Sequence, residues 1–181
     1  TGNLHTNDWT HLAMAMGKLG EAPIYIDDSA MVNVLEVRAK CRRLKAEAKE
    51  LGMVIIDYLQ LMESRSKNGS ESRTQEISEI TRGLKSLARE LNVPVIALSQ
   101  LSRTVELQKP AIPRLAHLRE SGSIEQDSDL VMFLLRREYY DPYDKPGTAE
   151  LIVAKNRHGA IGNVNLAFRK EIAQFANYAP I

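Results

Sequence analysis

The run Met53-Val54-Ile55-Ile56-Asp57-Tyr58-Leu59-Gln60-Leu61-Met62 constrains this chain more than any other stretch. It is apolar almost throughout, too short to cross a membrane, and carries a single carboxylate. β-Branched residues fill its first half, which predicts a strand buried on both faces of a parallel sheet. An acid at the end of such a strand sits at the carboxyl edge of the sheet, where open α/β folds bind ligands. There Asp57 can hold a hard cation such as Mg²⁺, directly or through water, beside a nucleotide phosphate. A strand-ending aspartate that only caps the next turn is the alternative.

The flanking pattern builds a fold around that strand. Thr6 or Asn7 caps a helix through Trp9, Leu12, Ala13 and Met16, and Pro23 to Asp28 reads as a short strand. Asn33 caps a helix over 34–50 whose apolar face is Leu35, Ala39, Leu44 and Ala48 and whose outer face is basic. A polar Ser/Gly-rich loop separates Met62 from a helix over 74–91 with Ile77, Ile80, Leu84, Leu87 and Leu91 at helical spacing. Pro94 to Gln100 and Leu130 to Leu135 read as further buried strands. Ala149 to Lys155 and Gly162 to Phe168 pair as a hairpin across Asn156 to Gly159. Alternating strands and helices predict an α/β fold with parallel crossovers.

The 181 residues, 44% of them hydrophobic, suffice for one domain with a real core. A net charge of +1 supplies no bulk attraction to polyanions, so such contacts must come from local clusters. The one cysteine, Cys41, excludes an intrachain disulfide, and no signal peptide or membrane-length stretch is present. The expectation is a cytoplasmic protein without a membrane partner. Thr1-Gly2-Asn3-Leu4 reads as a cut through a longer protein.

Three polar sets close successive strands: Asp57, then Ser99 with Gln100, then Lys155, Arg157 and His158. Brought to one sheet edge, they form a phosphate site: a carboxylate for the metal, an amide to sense the γ-phosphate, and cations for transition-state charge. The cations can instead sit on a solvated turn, or reach a neighbouring subunit's nucleotide. Two further segments, Arg65 to Arg73 and Arg119 to Ser123, join cations, hydroxyls and a glycine, a mix suited to following a single-stranded phosphate backbone. Neither contains an aromatic residue, so base stacking is not indicated. His5, His11 and His117 show no metal-ligand spacing.

Together these motifs resemble bacterial DnaB-type replicative helicases. Val54 to Leu61 is similar to their Walker B strand and Val93 to Arg103 to their glutamine-bearing sensor strand. Leu118-Arg119-Glu120-Ser121-Gly122-Ser123-Ile124-Glu125-Gln126-Asp127 resembles their signature before the late core strand, and Ala154-Lys155-Asn156-Arg157-His158-Gly159 their arginine-finger hairpin. The resemblance implies a RecA-like ATPase domain, a parallel sheet flanked by helices with a C-terminal antiparallel hairpin, incomplete at its N-terminus over 1–181. It implies ATP and Mg²⁺ as cofactors and a homohexamer that moves 5′→3′ on single-stranded DNA, with primase and a helicase loader as partners. Asp57 would be the Mg²⁺-associated carboxylate, directly or through water, and Gln100 the γ-phosphate sensor. Lys155 and Arg157 would serve the adjacent subunit. Arg119, Glu120 and Gly122 would face DNA in one channel loop, Arg65 and Arg73 in the other.

One family feature is missing: no G-x-x-x-x-G-K-[ST] phosphate loop occurs in these residues. The family's N-terminal domain and linker are likewise expected to be absent. The chain alone is therefore expected neither to bind ATP tightly nor to hydrolyse it. Without the phosphate-loop strand, two interior sheet edges lose their neighbour, so the late strands must close the gap, pair with another molecule or stay loose. A RecA-like recombinase or ATPase paralogue, and a non-catalytic module that binds single strands and oligomerises, remain as alternatives.

Overall fold

The computed structural model describes residues 5–48, 50–64, 73–118 and 122–179. They fall into two units, 1–30 and 31–181. In the first, helix α1 (Thr6–Glu21) begins after His5, whose backbone N–H donates to the Asp8 carboxylate at 2.8 Å, so the cap lies just ahead of Thr6. Residues 22–30 form no regular structure, and the strand predicted from Pro23 is not made.

In the second unit, α2 (Val34–Ala48) starts where the sequence places it. The Asn33 side chain accepts from the backbone N–H groups of Leu35 and Glu36 at 3.0 and 3.1 Å, satisfying two orphan donors of the first turn. Its inward face differs from the prediction. Val34, Val37 and Cys41 pack on the core, while Leu35 and Ala39 are exposed. Both sets fit a helical period, and only the neighbour decides between them. That neighbour, α3 (Arg73–Leu91), also takes the cations expected to face solvent: Arg38 and Arg42 pair with Glu90, and Lys45 donates to the Leu91 carbonyl. Burial pushes the Cys41 thiol pKa up.

Helix α3 carries the core. Ile77, Ile80, Leu84, Leu87 and Leu91 are buried in one cluster with Leu59, Met62, Val93 and Ile124. Each such side chain contributes roughly 1.5–3 kcal/mol of apolar transfer. Under this stripe β1 (Val54–Ile56) pairs in parallel with β2 (Val95–Ala97), in the register Val54 to Val95 and Ile56 to Ala97. The expectation that β1 is covered on both faces fails. Val54 and Ile56 pack inward, but Ile55 is 63% and Ile96 38% exposed.

The late strands build a separate antiparallel sheet in the order β3 (Leu130–Leu135), β4 (Thr148–Asn156), β5 (Gly162–Arg169), β6 (Gln174–Asn177). Among the described residues they do not join β1 and β2, so the gap expected between the two sets of strands is left unclosed there. The expectation of a fully buried β3 gives way to alternation: Val131, Phe133 and Leu135 are buried, Leu130, Met132 and Leu134 exposed. The predicted hairpin is formed by β4 and β5. Near the start of β4, Glu150 is 5% exposed and accepts from Arg137 and Lys145 at 2.8 and 2.7 Å, holding the turn of residues 137–147 against the sheet. The short helix α4 (Gly122–Asp127) packs on α3 through Ile124.

Two stability outcomes follow from these contacts. Gly83 lies inside α3, where alanine is ordinarily favoured by about 1 kcal/mol. A Cβ there would lie 2.8 Å from Cγ1 of the stiff, β-branched Val34, so Gly83→Ala will destabilise in urea unfolding by about 1–3 kcal/mol. The Arg137 guanidinium, then Lys145, holds the Glu150 carboxyl below the usual glutamate range against the opposing effect of burial. A depressed folded-state pKa gives stability that is present above the unfolded pKa and lost as pH falls through the folded one. Glu150→Gln will therefore lower stability near neutral pH by about 1–3 kcal/mol, and the difference will shrink in denaturation curves taken at progressively lower pH through the acid range.

Candidate active site

Parallel pairing of β1 with β2 puts their carboxyl ends side by side. Asp57 follows β1 directly, and Ser99 and Gln100 lie just beyond β2. The pairing runs past the strands: Leu98 N–H donates to the Ile56 carbonyl and Leu59 N–H to the Leu98 carbonyl, both at 2.9 Å. Asp57 is exposed, makes no hydrogen bond or ion pair among the described residues, and precedes a cis peptide to Tyr58. Gln100 is also exposed.

What ties this rim together is Gln60, to which no sequence pattern assigns a role. Its amide donates to Ser99 Oγ at 3.1 Å and to the Gln100 carbonyl at 3.4 Å, and accepts from the Gln100 N–H at 3.3 Å. It sits in the one-turn 3₁₀ helix Leu59–Leu61, and nothing local distinguishes it from a solvent-facing glutamine. The exposed Asp57 carboxylate can serve as a ligand for Mg²⁺, which takes one or two carboxylates and fills its shell with water and phosphate oxygens.

Lys155 and Arg157 sit elsewhere. They belong to the antiparallel sheet and its hairpin, so the three polar sets do not meet on one sheet edge as foreseen. Lys155 Nζ donates to the Glu125, Gln126 and Ser128 carbonyls at the end of α4, where helix carbonyls favour a cation. Arg157 pairs with Asp129 at 3.1 Å, and its backbone N–H donates to the Asp129 carbonyl at 2.8 Å. Lys85 of α3 shares the same carboxylate, and this contact first, with Arg157 adding to it, holds the Asp129 pKa below the usual aspartate range. The tip itself is shaped by Asn156, whose side chain accepts from the His158 N–H and donates to the Ala160 carbonyl, both at 3.2 Å. Both cations are thus braced on this chain's own α4 and Asp129, while the Arg157 side chain keeps 42% of its surface open.

Of the residues read as DNA contacts, Arg65, Arg119 and Glu120 lie outside the described residues. Arg73 is described, and it is engaged: it pairs with Glu76 at 2.6 Å and donates to the Gln60 carbonyl at 2.9 Å, linking the start of α3 to the Asp57 rim. Gly122 opens α4 in open space, with nothing near the position of an added Cβ. His117, isolated in the sequence, is buried. Its Nδ1 accepts from the Arg114 N–H at 3.0 Å and its Nε2 lies 3.0 Å from the Gln108 amide.

The family model described as DnaB-like helicase C-terminal domain matches residues 1–177. The replicative DNA helicase DnaC of Bacillus subtilis (strain 168) is 54% identical over 178 residues, covering 98% of this chain and 39% of its own length. The replicative DNA helicase DnaB of Geobacillus stearothermophilus matches equally, at 54% identity with 39% of its length covered. Among solved structures, an ATPase domain superposes with a TM-score of 0.90 at 45% identity, over 98% of this chain and 62% of that one. A DnaB-like replicative helicase, solved in a study of its interactions with primase, gives 0.90 at 44% identity, over 98% and 42%. The chain spans about two fifths of the length of the curated relatives it matches.

The Gln60 clamp generates a direct test. Gln60→Leu removes the acceptor for the Gln100 N–H, and amide exchange at Gln100 will quicken on the order of tenfold, while exchange at the β1 and β2 amides stays as in the parent protein.

Proposed function

The chain belongs to the DnaB-like helicase C-terminal domain family, and we propose that it forms part of the motor of a replicative DNA helicase. In the full-length protein, ATP hydrolysis would drive a homohexamer along single-stranded DNA and separate the duplex at the fork. The observation that carries this reading is the side-by-side exit of Asp57 and Gln100 from two directly paired strands. Asp57 would hold Mg²⁺, most simply through a water of its shell, and the ion would neutralise charge on the phosphates. Gln100, steadied by Gln60, would register the γ-phosphate.

Lys155 and Arg157 would act on the nucleotide of the adjacent subunit. Their bracing on α4 and Asp129 supports this, because a group that must meet a phosphate on another chain gains from being held in place beforehand. Arg119, Glu120 and Gly122 would follow the DNA backbone together with Arg65. The contacts of Arg73 with Glu76 and Gln60 favour a structural share in that role. ATP is the nucleotide, and primase and a loader are the partners we infer; a solved relative studied for its interactions with primase supports the former. The named relatives are replicative helicases, which favours this reading over a recombinase or a non-catalytic module.

The test uses the full-length protein. Asp57→Asn will abolish nucleotide hydrolysis stimulated by single-stranded DNA, and Arg157→Ala will lower it by about 10³-fold or more. Rings mixed from the two variants will regain part of the turnover, because some interfaces then pair an intact Asp57 with an intact Arg157. Undiminished turnover in Arg157→Ala would remove the finger role. The 181-residue chain by itself, which contains no phosphate-loop motif, will show no turnover.

A further inference from the structure

Between the first half of α3 and α4 the surface dips into an open groove of about 360 Å³, lined by Gln75, Ser78, Arg82, Ser123, Gln126 and Asp127. A second depression continues it along α3, sharing Arg82, Gln126 and Asp127 and adding the cations Lys85, Arg89 and Arg157. The charged groups along this track are four cations and one carboxylate. That carboxylate, Asp127, already accepts the Thr81 hydroxyl at 2.6 Å, and the nearby Asp129 is taken up by Lys85 and Arg157.

Arg82 and Ser123 have donors left over. Arg82 is exposed and commits only its Nε, to the Ser78 carbonyl at 3.0 Å, so its two Nη groups have no partner among the described residues. Ser123 Oγ is buried beside the groove with no hydrogen-bond partner among the described residues, a state that costs free energy unless something else satisfies it. Ser78 already donates its hydroxyl to the Thr74 carbonyl and serves as wall. No aromatic side chain lines the groove, so a ligand there is held by its backbone and not by stacked bases.

We propose that this groove is a phosphodiester site for single-stranded nucleic acid, in which the two Nη groups of Arg82 grip one backbone phosphate and Ser123, by a χ1 rotation, turns its unpartnered hydroxyl onto the same group. Planar, paired donors of this kind suit phosphate oxygens. The position agrees with the course of the chain: α3 follows residue 72 and α4 follows residue 121, so both walls begin where the segments read as DNA loops end. The inference rests on the single-stranded-DNA reading above, adds Arg82 to it and gives Ser123, at the end of the second of those segments, a specific contact.

The experiment measures binding of a fluorescent oligothymidylate to the full-length protein over a range of salt, with ATP affinity measured in parallel. Arg82→Ala will weaken binding roughly tenfold and flatten the plot of log affinity against log salt by about 0.7, the loss of one phosphate contact. Arg82→Lys will keep the slope and lose part of the affinity. Ser123→Ala will weaken binding by a smaller factor without changing the slope. An unchanged slope and affinity in Arg82→Ala, while Arg119→Ala still weakens binding, overturns this inference alone. A loss of ATP affinity in place of DNA affinity also overturns it and assigns the groove to a nucleotide phosphate. Failure of the unaltered protein to bind the oligonucleotide removes the broader reading as well. Arg82 is exposed, and the oligomer mass of each variant checks that assembly is intact.

Discussion

The apolar stripe of α3 is the contact on which everything else hangs. Leu87, fourth of its five residues, is 0% exposed, and residues of β1, β2, α2 and α4 pack in the same cluster. By fixing those elements on a single helix, it sets the β1–β2 rim and the late hairpin at defined places although they belong to different sheets. The polar contacts of α3 then work on a frame already closed: Thr81 to Asp127, Lys85 to Asp129, Glu90 to Arg38 and Arg42. Exposed ion pairs of this sort add little stability each. Their effect here is on register and direction.

Asp129 shows how such a pair acquires meaning. It stands at the junction of α4 and β3, receives a lysine from α3 and an arginine from the hairpin, and so links the core helix to the tip that bears Arg157. Lys155 makes a parallel link to the carbonyls at the end of α4. A hairpin tip with no such braces would turn its cations to water and lose their orientation. The same logic holds at Gln60, where one amide satisfies three groups at the end of β2 and leaves the Gln100 side chain uncommitted.

The division into two sheets has a physical reading. A two-stranded parallel ribbon with Ile55 and Ile96 open on one face is not a layer that stands well by itself. The exposed Leu130, Met132 and Leu134 on β3 repeat the pattern. Both faces carry the apolar residues of a buried layer, and the described residues do not supply the cover.

Local chemistry was enough to place most elements. The 3.6-residue period of α3, the Asn33 cap, the β-branched run before Asp57 and the turn at Asn156 to Gly159 each depend on neighbours close in sequence, so each could be read directly. Motif wording nominates Asp57, Gln100, Lys155 and Arg157 as candidates. Tertiary structure alone decided the rest: which face of α2 turns inward, that Gly83 makes room for Val34, that Gln60 clamps Gln100, that β3 alternates, and that the hairpin cations lean on α4. Those outcomes turn on groups tens of residues apart, whose distances are set by packing and are not encoded in any local pattern.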